Sequence, residues 1–256
     1  MATKQNLIFG VNAVLEKLRA SPQDVIEIML SDVSDRPALR QIDEQAARLR
    51  VRIVAASPTQ LDQFVGGQRH QGVVARIEEY RYLPFAELLE QLAAPSRGDR
   101  ILILDGITDP RNFGALLRTA DGAGVRYVVI PKDRSVEATA VAVKASAGAA
   151  YHVKIAKVTN LRRAIMDLKK LDYWIVGLDA GSRELIYDRS YPSRLGIVLG
   201  SEGKGVRPVI LRECDFLVSI PMLGKIASLN VSVAGAVLLY ELVRQQQSID
   251  GKTART

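Results

Sequence analysis

The sequence predicts an α/β protein whose larger, C-terminal part is a parallel, doubly wound sheet. From residue 100 onward, five short β-rich runs alternate with helical stretches. Four of these runs are continuously apolar, as strands covered on both faces are. The predicted strands are ILILD (101–105), RYVVI (126–130), YWIVGLD (173–179), GIVLG (196–200) and FLVSI (216–220). The predicted helices span 112–122, 137–147, 160–171, 208–213 and 229–245.

The first 79 residues predict a separate, small α/β domain. VIEIML (25–30) alternates like a half-buried strand, and the apolar residues of 37–49 recur at helical spacing. Further strands are expected at 52–56 and 72–78, with a short helix from Pro58. We therefore divide the chain into a domain at 1–79, a linker at 80–98 that ends in the hinge APSRGD, a main domain at 99–245 and a flexible polar tail at 246–256.

The charge of the chain is distributed unevenly. Residues 1–98 carry 12 Lys/Arg and 12 Asp/Glu, so the net charge of +7 arises wholly in residues 99–256, which carry 23 and 16. A basic balance favours a polyanionic partner, most commonly nucleic acid, although many soluble enzymes are also mildly basic. A single cysteine, Cys214, allows no internal disulfide and fits a reducing cytosol. The sequence contains neither an apolar run of membrane length nor a signal-peptide layout, so we expect a cytoplasmic protein with no membrane partner.

The usual phosphate- and metal-binding patterns are missing from the sequence. GSEGKG (200–205) has its glycines in the order GxxGxG, and Lys204 is followed by Gly205, so it is neither a dinucleotide fingerprint nor a P-loop. The first strand of the main domain also lacks a glycine-rich turn after it, so a cofactor is not expected at the first βα turn. His70 and His152 have no metal-ligand neighbours at a useful spacing, which predicts a protein without metal.

Polar side chains follow three strands of the predicted sheet. Asn112 and Arg118 come after the first strand, Glu202 after the fourth, and Ser228 and Asn230 after the fifth. Each has an ordinary structural explanation: Asn112, Ser228 and Asn230 can cap helices. Likewise, Arg118 can be a surface charge and Glu202 a solvated side chain in a glycine turn. All three groups lie at carboxyl ends of strands, however, and therefore converge on one rim of the sheet, where α/β proteins bind ligands.

The same stretches resemble a known family. NFGALLRTADGAGV, IVLGSEGKGV and IPMLGKIASLNVSVAGAVLLYE are similar to the three ordered motifs of the SpoU (TrmH) family of RNA ribose 2′-O-methyltransferases, in the SPOUT superfamily. The motifs and their spacing cover about residues 100–243. In the N-terminal part, FGVNAVLEKLR and HQGVVA (70–75) resemble the substrate-binding domain of the RlmB-type large-subunit rRNA guanosine methyltransferases, a domain similar to ribosomal protein L30e.

This resemblance implies a fold and a cofactor. The C-terminal sheet would form a deep trefoil knot, a feature that is nearly absent from other proteins. Small residues of the last helix, Ala234 to Ala236, would let backbones approach closely. S-adenosylmethionine would be held in the knot by main-chain groups. Its contacts would be Gly200, Ile220, Leu229 and Leu178, with Asp179 nearby.

The resemblance also implies the reaction and the residues that carry it. A methyl group would pass to a ribose 2′-hydroxyl, at a guanosine of 23S rRNA, with Asn112, Arg118, Glu202, Ser228 and Asn230 as the catalytic set. An arginine keeps its proton to about pH 12 or above, so we expect Arg118 to bind phosphate and favour the alkoxide electrostatically.

The other members of the set would position the reacting groups. Asn112 and Asn230 would position Arg118 and the ribose, Glu202 would orient the arginine, and Ser228 would fix the knot loop. Members of this family act as dimers with residues of both protomers near one site, so a homodimer is expected.

Two alternatives stay open at the level of sequence. One is a tRNA methyltransferase, or a methyltransferase of another rRNA. The other is a non-catalytic RNA-binding protein, against which the five intact motif residues argue.

Overall fold

The structure is a computed structural model, and it describes residues 6–32, 36–94 and 99–253, with side chains as far as residue 247. Residues 95–98 of the predicted hinge APSRGD (94–99) and the last three residues of the tail lie outside this range. The described chain forms two sheets, one of four strands in its N-terminal part and one of six strands in its C-terminal part. The domain boundaries given above stay a prediction.

The N-terminal sheet is mixed. Its elements are β1 (Leu7–Phe9), α1 (Val11–Ala20), β2 (Val25–Leu30), α2 (Pro37–Leu49), β3 (Arg52–Ala55), α3 (Pro58–Val65) and β4 (Val73–Ile77). The strand order is β1-β4-β2-β3, with β2 and β3 parallel and β4 antiparallel to both of its neighbours. The sequence did not predict β1, because a three-residue strand is too short to show a period of two.

The C-terminal sheet is parallel throughout, as predicted. Its elements follow α4 (Phe85–Ala93) and are β5 (Arg100–Asp105), α5 (Pro110–Gly122), β6 (Tyr127–Pro131), α6 (Ala140–Ala145), β7 (Lys154–Val158), α7 (Leu161–Lys169), β8 (Trp174–Leu178), β9 (Leu195–Gly200), α8 (Pro208–Leu211), β10 (Phe216–Val218) and α9 (Val231–Thr253). The order is β10-β8-β9-β5-β6-β7. We did not predict β7, whose sequence KIAKV lies at the sheet edge and carries two lysines.

The two central strands, β5 and β9, set the position of the site. They pair in parallel along their whole length, so Asp105 and Gly200 lie side by side at their carboxyl ends. The chain continues from β5 toward β6 and β7 on one side, whereas β8 and β10 lie on the other. A change of direction of this kind opens a crevice at the carboxyl ends of the strands.

The last helix differs from the prediction at both ends and on one face. It begins at Val231 and extends to Thr253, so most of the segment predicted as a flexible tail is helical. Gly235 leaves room for side chains rather than for a backbone, because a Cβ there would lie 2.6 Å from the side chain of Leu116 and 2.7 Å from that of Leu199. The apolar run from Asn230 to Tyr240 predicts a helix buried on most sides, but Val233 and Tyr240 are about half exposed. Among the described residues, none of the helices combines the length and apolar character that a membrane crossing requires.

The two sheets meet through short helical segments. Strand β1 packs against α6, and α1 packs against the single turn at 149–151. The His152 ring and the Glu16 carboxylate are 2.8 Å apart across this contact. The predicted linker enters the second sheet, since Leu83 pairs with Ala156 and the apolar face of α4 is buried there.

Candidate functional site

A cavity of about 330 Å³ lies at the carboxyl ends of β8, β9 and β10. All of the positions predicted to contact a cofactor line it, together with two of the predicted catalytic residues. These are Leu178, Asp179, Gly200, Ile220 and Leu229, and Glu202 and Ser228. Its volume is within the range of small-molecule sites, roughly 300–1,000 Å³. The cavity therefore brings together residues from four separate segments of the chain.

The wall of the cavity depends on the absence of a side chain at Gly200. A Cβ at this position would lie 2.0 Å from the carbonyl carbon of Gly205. The loop returns onto the strand end because Ser201 and Gly205 exchange two backbone hydrogen bonds of 3.0 and 2.9 Å. Gly203 and Gly205 both have positive φ, which a glycine adopts without strain. The glycine at position 200 therefore allows the backbone of this loop to lie directly against the end of β9.

A buried carboxylate fastens this loop to the sheet. Asp105, at the end of β5, is 1% exposed and accepts hydrogen bonds from the backbone N–H and the Nε of Arg207, at 2.9 and 2.8 Å. The Nη2 of Arg207 lies 2.7 Å from the same carboxylate. A buried carboxylate with three donors is well satisfied. Sequence reasoning missed this pairing, because the two residues are far apart in the chain and the only signal was an acidic residue closing an apolar strand.

Three of the predicted catalytic side chains meet at the rim of the cavity. The Nδ2 of Asn112 donates to Oε1 of Glu202 at 2.9 Å. The Nδ2 of Asn230 donates to Oδ1 of Asn112 at 3.0 Å and also to Oε1 of Glu202. These three residues, which we call the amide–carboxylate cluster, come from α5, the loop after β9 and the residue before α9. The predicted convergence of three strand ends is formed within one chain.

Of the three side chains predicted as possible helix caps, only Asn230 is one. The N-cap of α5 is Asp109, whose Oδ1 accepts from the backbone N–H of Arg111 and Asn112, so the Asn112 side chain is not a cap. Asn230 does cap α9, since its Oδ1 accepts from the backbone N–H of Ser232 at 2.9 Å. Ser228 lies three residues before the helix and lines the cavity without capping it. The Asn112 amide is therefore free to hold Glu202.

Arg118 does not join the cluster. It is exposed on α5 and makes no hydrogen bond or ion pair with any residue in the described part of the chain. Six residues along an α-helix displace it by about 9 Å from Asn112 and turn it to a different face. The predicted contact between Glu202 and Arg118 is thus not formed within one chain, where both asparagine amides occupy Oε1 of Glu202.

An exposed apolar surface lies beside Arg118. Large apolar side chains of the loop before α9 and of α9 itself face solvent, most of all Leu223 at 100% and Ile226 at 74% exposure. We call this set the α9 face; its members are Met222, Leu223, Ile226, Leu229, Val233 and Tyr240. A Cβ on Gly122 would lie 3.2 Å from the Tyr240 hydroxyl. Because Gly122 and Arg118 are one turn apart on α5, Arg118 borders the α9 face.

Among the described residues, no group of three or more His, Cys, Asp or Glu side chains is close enough to hold an ion. The two histidines are engaged elsewhere, His70 with Asp62 at 3.3 Å and His152 with Glu16. The site is therefore described by its main-chain cavity, its amide–carboxylate cluster and the exposed surface next to them.

A parallel sheet with a main-chain ligand cavity at its switch point, and without a phosphate loop, defines an α/β ligand-binding domain of the non-Rossmann kind. Comparison with known proteins identifies the family of this domain. A sequence profile described as the SpoU rRNA Methylase family matches residues 99–240, and one described as RNA 2′-O ribose methyltransferase substrate binding matches residues 7–83. The chain belongs to the SpoU rRNA methylase family.

Individual relatives agree with this assignment. The chain is 42% identical over 245 residues to the 23S rRNA (guanosine-2′-O-)-methyltransferase RlmB of Shewanella oneidensis, covering 96% of this chain and 99% of the relative. The RlmB protein of Pseudomonas putida is also 42% identical, over 94% of this chain and 96% of its own length. The SpoU methyltransferase AviRb of Streptomyces viridochromogenes, in complex with AdoMet, shares the fold. Its TM-score is 0.78 at 22% identity, over 94% of this chain and 90% of that one.

Proposed function

We propose that this protein transfers a methyl group from S-adenosylmethionine to the ribose 2′-hydroxyl of a guanosine in 23S rRNA. The observation that carries the proposal is the main-chain cavity at Gly200 with the amide–carboxylate cluster at its rim, within a chain 42% identical to RlmB proteins named for that reaction. The net positive charge of the C-terminal part supports an RNA backbone as partner.

The cavity suits the cofactor in size and in lining. Gly200 lets the loop of residues 201–205 pack directly on the end of β9, while Leu178, Ile220 and Leu229 supply apolar surface to the cavity. The hydrogen bonds from Arg207 to Asp105 hold the loop after Gly200 against the sheet. When bound, S-adenosylmethionine supplies an activated methyl group whose leaving group is the neutral thioether of S-adenosylhomocysteine.

The protein's own task is to align and activate the hydroxyl. The ribose oxygen forms its bond to the methyl carbon as the carbon–sulfur bond breaks, and the hydroxyl proton leaves to solvent. We assign Asn112 and Asn230 to ribose positioning, with Glu202 holding both amides in orientation. The positive charge of the Arg118 guanidinium stabilises the developing alkoxide, as a fixed charge at a reacting oxygen does.

We propose that the Arg118 of each site comes from a second copy of the chain. Within one chain, Arg118 borders the α9 face and lies outside the cluster. A two-fold dimer that covers the α9 face buries the same patch on both copies. Such a dimer carries the bordering arginine of each copy toward the cluster of the other. Several exposed large apolar side chains within one segment, residues 222–240, favour an interface with another protein.

Three further features belong to the proposal. The path of the chain after β9, through β10 at the sheet edge and back to α9 against α5 and β9, is the crossing that we propose as the deep trefoil knot. We also propose that residues 1–79 form an L30e-like RNA-binding domain joined by 80–98 to the methyltransferase domain at 99–245. A protein that acts on ribosomal RNA and carries one cysteine is expected in the cytoplasm.

The experiment that tests the function compares 2′-O-methyl sites in total RNA from cells with and without the gene. Loss of one methylated guanosine in 23S rRNA, restored by the gene, is the expected result. Loss of a site in tRNA instead would replace the rRNA assignment with the tRNA alternative. Calorimetric titration with S-adenosylmethionine separates the remaining case, because a non-catalytic RNA-binding protein should give no heat.

A further inference from the structure

A second, larger cavity lies where the two sheets meet, away from the site described above. It encloses about 580 Å³ and is lined from both sides of the junction. Phe9, Phe64 and Gln68 contribute from the N-terminal part, and Thr139, Ala140 and Tyr151 from the C-terminal part. Neither the family motifs nor the proposed chemistry uses these residues.

Aromatic side chains form fixed walls around this cavity. Tyr80 and Tyr82 line it in an edge-on pair with ring centroids 5.0 Å apart. The Tyr80 hydroxyl donates to the carbonyl of Ala150 at 2.8 Å, and the Tyr82 hydroxyl accepts from the N–H of Ala138 at 2.9 Å. Phe64 also lines the cavity and is 41% exposed, so its ring is available to a ligand. The cavity thus offers pre-organised aromatic surface with one open ring.

Two cations stand at the same junction. The Lys144 ammonium lies 4.7 Å from the centroid of the Phe9 ring, which itself lines the cavity, and it donates to the main-chain carbonyl of Arg69. Burial, and then the charge of Arg69, lower the pKa of Lys144. No acidic side chain pairs with either residue within 6–32, 36–94 and 99–247. Two neighbouring cationic side chains without an acidic partner favour a bound anion.

The loop that presents Arg69 has an unusual backbone. Gly66, Gly67, Gln71 and Gly72 all have positive φ. Gln71, the non-glycine among them at φ 58°, is held by its side chain, whose Oε1 accepts from the N–H of Val11 at 3.2 Å. Sparsely populated conformations of this kind are retained at ligand-binding loops more often than elsewhere. The side chain of Gln71 therefore ties this loop to the start of α1.

We propose that this junction binds one unstacked nucleotide of the substrate RNA, with the base in the cavity against Phe64 and a phosphate between Arg69 and Lys144. The identity of the ligand as RNA rests on the proposed function. Proteins that recognise RNA loops stack splayed bases on aromatic rings, and they hold the adjacent backbone with Lys and Arg. The cavity is large enough for a base, and two of its lining residues adjoin the cations: Gln68 precedes Arg69 in the chain, and the Phe9 ring lies under Lys144.

This anchor has a direct connection to the catalytic site. Lys144 belongs to α6, which packs tightly on α5: a Cβ on Gly114 of α5 would lie 2.5 Å from the carbonyl of Ala142. Asn112 and Arg118 are on α5. A nucleotide held at the junction therefore fixes the RNA relative to the reacting ribose, through two helices that cannot slide past each other.

The test measures binding of an in vitro transcript of 23S rRNA to the full-length protein over a range of salt concentrations. Phe64→Ala should weaken binding about tenfold without changing the salt slope, since stacking on an aromatic ring is not a charge effect. The double variant Arg69→Ala/Lys144→Ala should lower the slope of log K against log salt by roughly 0.7 for each phosphate that the protein no longer neutralises. Matched controls on α7, Met166→Ala and Arg163→Ala, should bind as wild type.

Thermal unfolding and S-adenosylmethionine binding of each variant show whether it is folded. Wild-type affinity and slope in the folded Phe64 and Arg69/Lys144 variants overturn the proposal, as does an equal loss in the α7 controls. Methyl transfer by the wild-type protein, measured on the same transcript, separates this result from the proposed function. Normal transfer with unaffected variants removes the junction site alone, whereas binding without transfer removes the proposed reaction and leaves the anchor standing.

Discussion

The amide–carboxylate cluster and Arg118 are parts of one proposed site, yet the fold of a single chain places them apart. Asn112, Glu202 and Asn230 come from three segments and are already joined by hydrogen bonds. Arg118 shares a helix with Asn112 and nevertheless stands exposed at the border of an apolar surface. The difference is that one folded chain builds the cavity and joins Asn112, Glu202 and Asn230, whereas we propose that the charge that activates the hydroxyl comes from a second chain.

The largest expected effect is on Arg118 itself. Arg118→Ala should lower the rate of methyl transfer about a thousandfold, the upper range for removing one group that stabilises an oxyanion. S-adenosylmethionine binding, measured by calorimetry, should not change, because Arg118 does not line the cavity. Arg118→Lys should recover little, since an ammonium lacks the planar fork of donors. An equal loss in Arg163→Ala, an exposed arginine on α7, would point to a general charge effect and against this role.

Disrupting the α9 face should cost somewhat less. Val233→Glu places a charge on the exposed apolar side of α9, which should shift the protein from dimer to monomer in analytical ultracentrifugation. The rate at micromolar protein should fall about a hundredfold and recover as concentration rises, by mass action. Met166→Glu, on an equally exposed position of α7, serves as the control. A fully active monomer would contradict the proposal that Arg118 acts in the site of a second chain, because Arg118 would then act within its own chain.

Loss of one positioning amide should have a moderate effect. Asn230→Ala removes two hydrogen bonds within the cluster and the N-cap of α9. We expect the rate to fall about ten- to a hundredfold, and the free energy of unfolding to fall by about 1 kcal/mol from loss of the cap. Asn230→Asp retains the capping oxygen but places a carboxylate beside Glu202, so it should restore stability without restoring the rate. Recovery of both would contradict the positioning role.

The smallest effect is expected from weakening the ion pair between Asp105 and Arg207. Asp105→Asn keeps the shape of the side chain but removes its charge from the three Arg207 donors, one of which lies at 2.7 Å. Because Arg207 is half exposed, we expect a loss of only about 1–3 kcal/mol in the free energy of unfolding. Affinity for S-adenosylmethionine should fall several-fold as the Gly200 wall loosens. A stable variant with unchanged cofactor affinity would show that the loop holds itself in place.

The sequence predicted most of the second sheet because its strands are buried on both faces and therefore read as apolar runs. The edge strand β7 was not predicted, because Lys154 and Lys157 interrupt its apolar sequence. The cofactor positions were predicted from the family resemblance, and they line one cavity. What sequence reasoning missed was long-range or geometric. The pairing of Asp105 with Arg207 leaves no local trace. The role of Asp109 as the cap of α5 depended on a helix start only two residues earlier than expected.

Mixing two inactive variants tests the central claim most directly. An Arg118→Ala chain keeps an intact cluster, and an Asn230→Ala/Glu202→Ala chain keeps an intact Arg118. If each site takes its arginine from the partner, random exchange of subunits makes half of the dimers mixed, each with one intact site, and the rate returns to about a quarter of wild type. No recovery above the two variants alone, in a mixture shown to contain mixed dimers, would place every catalytic group of a site in one chain and contradict the account.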